Sequence, residues 1–153
     1  MSFLLLLNED ELEKIVPLLP KYEIMVENAK PIFELEGRRL EEIARTLPKY
    51  QSSYDQAHQE MKALEDWVNN IKEKKTAKLW KKYNEGYQKA LSARDIQAYI
   101  AGEKDIVETN QIIIEVLLIK NQLNAIVEAL KNLGWMVGHI TKIRVAELQE
   151  TIL

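Results

Sequence analysis

The sequence predicts an all-α protein whose long helices form a bundle-like protomer. Three observations carry that prediction. Apolar residues recur every three or four positions over most of the chain, no stretch alternates with period two, and breakers are few, five Gly and four Pro. The 153 residues suffice for one domain with a core, and 46% apolar with 29% charged residues is a globular composition.

Residues 8–29 read as helical, with Asn8 as a cap and Glu9, Asp10 and Glu11 favourable in the first turn. Pro17 and Pro20 divide this run into two short pieces, and Pro31 opens an irregular stretch, P-I-F-E-L-E-G. A helix is expected from about Leu35 or Arg38 to Thr46, and Pro48 then suits the first turn of a second, long helix over about 48–84. That helix carries Tyr50, Tyr54, Ala57, Met61, Leu64, Val68 and Ile71 as its apolar stripe. N-E-G at 84–86 is a stop signal. A shorter helix is expected over 87–101, ended by Gly102, then a long one over 103–132 stopped by Gly134, then a last one over 135–152. G-W-M-V-G at 134–138 reads as a helix-end turn followed by a tightly packed helix start. The centre of the 103–132 helix, I-I-I-E-V-L-L-I at 112–119, is apolar almost all round, so it needs cover on several sides and suits self-association.

Function classes can be excluded or set aside from the same residues. There is no Cys, so disulfides, thiolate metal sites and a Cys nucleophile are absent, which fits a reducing cytoplasm. His58 and His139 lack a metal-ligand spacing, and no zincin, phosphate-loop, nucleophile-elbow or dinucleotide motif is present. The carboxylates offer no singular acid/base pair, so an enzyme is not expected, nor a metal or cofactor. The N-terminal M-S-F-L-L-L-L has no basic flank and meets acids at once, which reads as a packing or partner-contact segment rather than a signal peptide. No apolar run is long enough for a membrane span.

Charge is distributed unevenly. Residues 1–66 hold 14 acids and 8 Lys/Arg, whereas 67–153 hold 10 acids and 13 Lys/Arg, within a chain of net charge -3. The stretch N-I-K-E-K-K-T-A-K-L-W-K-K-Y at 70–83 concentrates six lysines, Lys72, Lys74, Lys75, Lys78, Lys81 and Lys82, against one acid, and places Trp80 and Tyr83 beside them. A solvated basic helix face is the plain reading. Within the stretch no acid stands at pairing distance from a lysine, and this with the adjacent aromatic rings favours a single-stranded nucleic-acid site, with lysines on phosphates and rings on bases. Lysine supplies point charges without bidentate base reading, so little sequence preference is expected. Lys72, Lys75 and Lys78 step by three along one side, with Lys74 and Lys81 flanking, and Trp80 serves either as a stacking ring or as core. One patch alone binds weakly; self-association through the 103–132 helix would line several patches in one assembly.

With these residues in view, the chain resembles the UvsY family, recombination mediators of large tailed bacteriophages. The resemblance rests on G-W-M-V-G-H-I-T-K-I-R-V-A-E at 134–147, where Gly134, Trp135, Val137, His139, Ile140, Ile143, Arg144 and Glu147 fit the family's C-terminal signature. L-S-A-R-D-I-Q-A-Y-I-A-G-E-K-D at 91–105, T-L-P-K-Y at 46–50 and K-T-A-K-L-W-K-K-Y-N-E-G resemble further family motifs in the same order, over roughly residues 30–150. The arm at 1–30 and the stretch from Glu65 to Gly86 are longer than in the family. Ala77-Lys78-Leu79 best matches the family's Ala-Arg-Leu, which points to Lys75 and Lys78.

The resemblance implies a non-enzymatic protein in the cytoplasm of an infected bacterial host. It would bind single-stranded DNA, assemble as a ring-like homo-oligomer, heptameric in the family, and load a RecA-like phage recombinase onto DNA covered by the phage single-strand-binding protein. Three regions are then expected: an acidic N-terminal arm at 1–30, a helical region at 31–90 with the DNA-binding segment, and a C-terminal oligomerisation region at 91–153. DNA contact falls to Lys72, Lys74, Lys75, Lys78, Trp80, Lys81, Lys82 and Tyr83. Oligomerisation falls to Ile106, Ile113, Ile114, Leu117, Leu118, Trp135, Ile140 and Ile143. The rival reading is a helical interaction adaptor that acts on a host or phage protein without binding DNA.

Overall fold

The structure, a computed structural model, describes residues 12–86 and 90–151. Every regular element among them is helical. Short 3-10 turns at Leu12–Lys14 and Val16–Leu18 lead into α1, Leu19–Asn28. A further 3-10 turn at Lys30–Phe33 precedes α2, Leu40–Glu85; α3 is Ala93–Gly102 and α4 is Lys104–Thr151. The expected cap at Asn8 to Glu11 and residues 87–89 of the expected third helix lie outside the described residues. The all-α class holds, and the short, proline-broken pieces before residue 30 are found as the 3-10 turns and α1.

Two expected helix boundaries are absent. Pro48 lies inside α2 instead of starting it. A proline there removes one backbone hydrogen bond and crowds the preceding turn. Ile43, Leu47 and Tyr54, at 5–7% exposure, are buried on both sides of Pro48, and this burial holds the helix through it. The Thr46 hydroxyl also donates to the Glu42 carbonyl at 3.0 Å in the turn before the proline. Gly134 likewise lies inside α4, so the expected pair of helices at 103–132 and 135–152 is one. Glycine in a helix costs only about 1 kcal/mol relative to Ala and keeps its N–H, so it need not break the ladder. Gly134 is used for close approach: a Cβ there would meet Leu47 Cδ2 at 3.4 Å and Gln51 Nε2 at 3.6 Å. Gly86 does end α2, and a Cβ on it would meet the Lys82 carbonyl oxygen at 2.6 Å.

By its contacts the chain forms two compact units, each drawn from two separate segments of the sequence. The first holds residues 12–20 with 61–119, and the second holds 21–60 with 120–151. In the first unit α2 buries Met61, Leu64, Val68 and Ile71, the expected stripe, at 0–5% exposure. Each such side chain contributes about 1.5–3 kcal/mol of burial. Ile96 and Ile100 of α3 join Tyr83 and Ile106 in a cluster against which Leu79, Trp80 and Leu91 pack. Ser92 caps α3, accepting from the Asp95 N–H at 3.2 Å. In the second unit the α4 face of Leu123, Val127, Leu130, Leu133 and Val137 is buried, as are Tyr22, Ile43, Leu47, Tyr54 and Ala57. The Tyr22 hydroxyl donates to Glu60, and burial, reinforced by that carboxylate, holds its phenol well above the ordinary range. The Tyr54 hydroxyl donates to the Met25 carbonyl at 2.7 Å, fastening α1 to α2.

Candidate nucleic-acid interface

The basic segment belongs entirely to the last four turns of α2, in the first unit. The buried stripe continues through it by steps of four: Ile71, Lys75, Leu79, Tyr83. Lys75 therefore stands where the next apolar anchor would be. Its ammonium is bound by Asp105 at 2.7 Å and by the hydroxyl of Thr109 at 3.4 Å, and its side chain is only 25% exposed. Thr109 is fully buried and donates to the Asp105 carbonyl at 2.7 Å. Lys75 thus joins α2 to the first turns of α4, and its charge is already answered by Asp105.

With Lys75 turned inward, the expected row of Lys72, Lys75 and Lys78 is not one outer face. Lys74, Lys78 and Lys81 are all exposed and spaced i, i+4, i+7, which places them along one side of the helix. No carboxylate pairs with Lys78 or Lys81 among the described residues. Like charges at the i,i+3 spacing of Lys78 and Lys81 repel by roughly 0.2–0.5 kcal/mol, a cost that a bound polyanion would remove. Lys72 is half-buried on another side, in an open groove of about 740 Å³ with Asn69, Glu73, Thr76, Ala77 and Trp80. Lys82 is exposed, its ammonium 5.6 Å from the centroid of the Tyr83 ring.

The rings divide between core and surface. Trp80 is half-buried: it packs on the Tyr83–Ile96–Ile100–Ile106 cluster and also lines the groove. Tyr83 is 9% exposed, donates its hydroxyl to Glu103, and stacks on Tyr99 with centroids 5.6 Å apart and planes at 17°. Tyr83 is therefore a core ring, and the accessible partner of that stack is Tyr99, at 51% exposure. Tyr99 lies outside the basic stretch, on α3. Its position between Ile96 and Ile100, both buried by α3, is the signal that sets it at the edge of the packed face.

The residues assigned to self-association also divide. Ile106 is 2% exposed and belongs to the protomer's own core. Ile113, Leu117 and Ile140 are half-buried. Ile114 and Leu118, at 65% and 59% exposure, continue an outward row with Val107 in the first unit, at intervals of seven and four. In the second unit Met136 and Ile143 are exposed seven residues apart, and Trp135 is 81% exposed. Val107 and Met136 were not among the expected residues.

The division between positioning and contact yields an expected result. Lys75→Ala lowers the melting temperature by a few degrees, since about 1 kcal/mol shifts a domain of this size by roughly 2–4 °C. It leaves affinity for an oligothymidylate nearly unchanged, whereas Lys78→Ala lowers that affinity and leaves the melting curve in place. Thermal unfolding followed by circular dichroism, with anisotropy titrations, separates the two.

Among the described residues, no group of three or more His, Cys, Asp or Glu is placed to hold a metal ion, and no helix is long and apolar enough to cross a membrane. No family model, no curated protein and no solved structure matches this chain.

Proposed function

We propose that this protein binds single-stranded DNA through the Lys74–Lys78–Lys81 face of α2 and acts as a self-associating recombination mediator. The observation that carries the first part is three exposed lysines on one helix side, none of them part of the buried stripe. Such a face binds phosphates by charge, with little regard to sequence, and Trp80 and Tyr99 are accessible rings on other sides of the same unit. Self-association is supported by the outward rows Val107, Ile114 and Leu118, and Met136 and Ile143, large apolar side chains left uncovered by the protomer. The mediator role, the ring-like heptamer, the RecA-like recombinase and single-strand-binding protein as partners, and the cytoplasm of an infected bacterium as its place are supported by the family resemblance of 134–147, 91–105 and the basic segment.

In this mechanism copies of the lysine face hold one strand at several points, and the avidity of the assembly loosens the resident single-strand-binding protein. The incoming recombinase then finds bare strand. The ATP chemistry is the recombinase's own.

The test uses single-stranded DNA coated with single-strand-binding protein, where a RecA-like recombinase hydrolyses ATP slowly. Adding this protein should restore hydrolysis to the rate on bare DNA. No restoration by a protein that does bind the strand would refute mediation while leaving DNA binding intact. The uncovered apolar rows also support the adaptor reading, in which they receive another protein. That reading gains if the chain forms complexes but binds no DNA.

A further inference from the structure

A second surface answers the same chemistry. In the second unit, α4 presents Lys131, Gly134, Trp135, Gly138, His139 and Lys142 on one side, at intervals of i, i+3, i+4, i+7, i+8 and i+11. With Gln51 of α2 they line an open groove of about 460 Å³, within the size range of ligand sites. Gln51 closes one flank, its amide nitrogen 3.5 Å from the Leu130 carbonyl oxygen. The groove is open because its floor is glycine: nothing lies within 4 Å of where a Cβ on Gly138 would stand.

The composition of the walls identifies the ligand. No carboxylate lines the groove, while two lysines and an imidazole do. Lys131 holds an exposed pair with Glu128 at 3.0 Å, an i,i+3 contact of the kind worth only a few tenths of a kcal/mol and easily exchanged for a phosphate. Between the lysines stands Trp135, 81% exposed, the most exposed large apolar side chain of those described. An indole so placed offers a face to a planar group. Lys131 and Lys142 are about 16 Å apart along the helix, so a ligand that meets both must be an extended polyanion rather than a single phosphate.

Trp135 was expected to join the self-association surface. Its register argues otherwise: Trp135 shares a side with Lys131, His139 and Lys142, while Met136 and Ile143, seven apart, make a different one.

We infer that this groove is a second single-stranded nucleic-acid contact, with a base stacked on Trp135 and the flanking phosphates on Lys131 and Lys142. The inference rests on the single-strand reading of the α2 lysines and extends it to α4. It gives each protomer two contacts, one in each unit.

The test compares four full-length proteins: wild type, Trp135→Ala, Trp135→Phe and Lys131→Ala/Lys142→Ala. Each is titrated into labelled oligothymidylate at several salt concentrations and sedimented in parallel. Loss of one stacked base lowers affinity by about 5- to 100-fold in Trp135→Ala, and Trp135→Phe recovers most of it. The double lysine variant lowers the slope of log K against log salt by about 1.4 per protomer engaged. Sedimentation is unchanged in all four. A photoreactive thymidine strand crosslinks to the peptide that contains Trp135. If wild type binds and Trp135→Ala binds equally well without crosslinking there, the inference fails and the α2 site stands alone. If Trp135→Ala falls to smaller species, Trp135 belongs to the assembly surface and the inference is overturned. If wild type binds no strand at all, the α2 reading fails with it.

Discussion

A protein carrying both Ile114→Glu and Leu118→Glu is expected to sediment as a folded monomer and to bind single-stranded DNA about 100-fold or more weakly than wild type. The argument begins from exposure: both side chains are uncovered in the protomer, at 65% and 59%, so the substitutions disturb little of its own core. In an assembly that covers this row, each protomer would bury two unpaired carboxylates, at a cost of several kcal/mol apiece. The interface cannot absorb that cost. Separation of the protomers then removes avidity, which contributes on the order of 100- to 10,000-fold without any change in the contacts themselves. Charges at Ile113 or Leu117, the positions favoured by the apolar run alone, are the poorer choice. Both are half-buried, so a carboxylate there also destabilises the protomer and confuses the two effects. Sedimentation velocity with circular dichroism checks the result; an unaltered sedimentation profile contradicts it.

The triple change Lys74→Ala, Lys78→Ala and Lys81→Ala should have an effect of similar size by a different route. Each phosphate contact on a single strand contributes about 0.7 to the slope of log K against log salt, which is roughly a fivefold affinity gain at 0.1 M salt. Three contacts make about 100-fold and a slope change near 2. The three side chains are exposed and make no part of the buried stripe, so the melting curve should change little. Loss of the oligomer in this variant would show that the lysines serve the assembly instead of the strand.

The helical class and most of the core face of α2 were legible in the sequence, because Tyr54 to Ile71 repeat with the period of the helix and burial follows the period. Pro48 and Gly134 misled because local propensity was weighed without tertiary burial. Leu47 and Tyr54 hold α2 through its proline, and Gly134 is placed where Leu47 and Gln51 come close. The basic site was half legible. Its charge was visible, but Lys75 was counted among the outward lysines, although the steps 71, 75, 79 and 83 already set it on the inner stripe. What sequence could not supply was its answering group, since Asp105 lies thirty residues on and meets Lys75 only through the fold. Tyr83 is fixed through the fold in the same way, its hydroxyl held by Glu103 and its ring by Tyr99. The exposure of Trp135 was hidden by its apolar character, which in a helical period stands for burial unless the helix face it occupies is known.

The most direct test of the central claim is the salt dependence of oligothymidylate binding by the wild-type protein, read by fluorescence anisotropy. The α2 face predicts clear binding at low salt and a fall of log K with log salt of slope about -2 per protomer engaged at Lys74, Lys78 and Lys81, steeper if α4 also contributes. No binding at low salt, or binding indifferent to salt, would contradict it and leave the lysine face as solvated surface on a helical protein that binds other proteins.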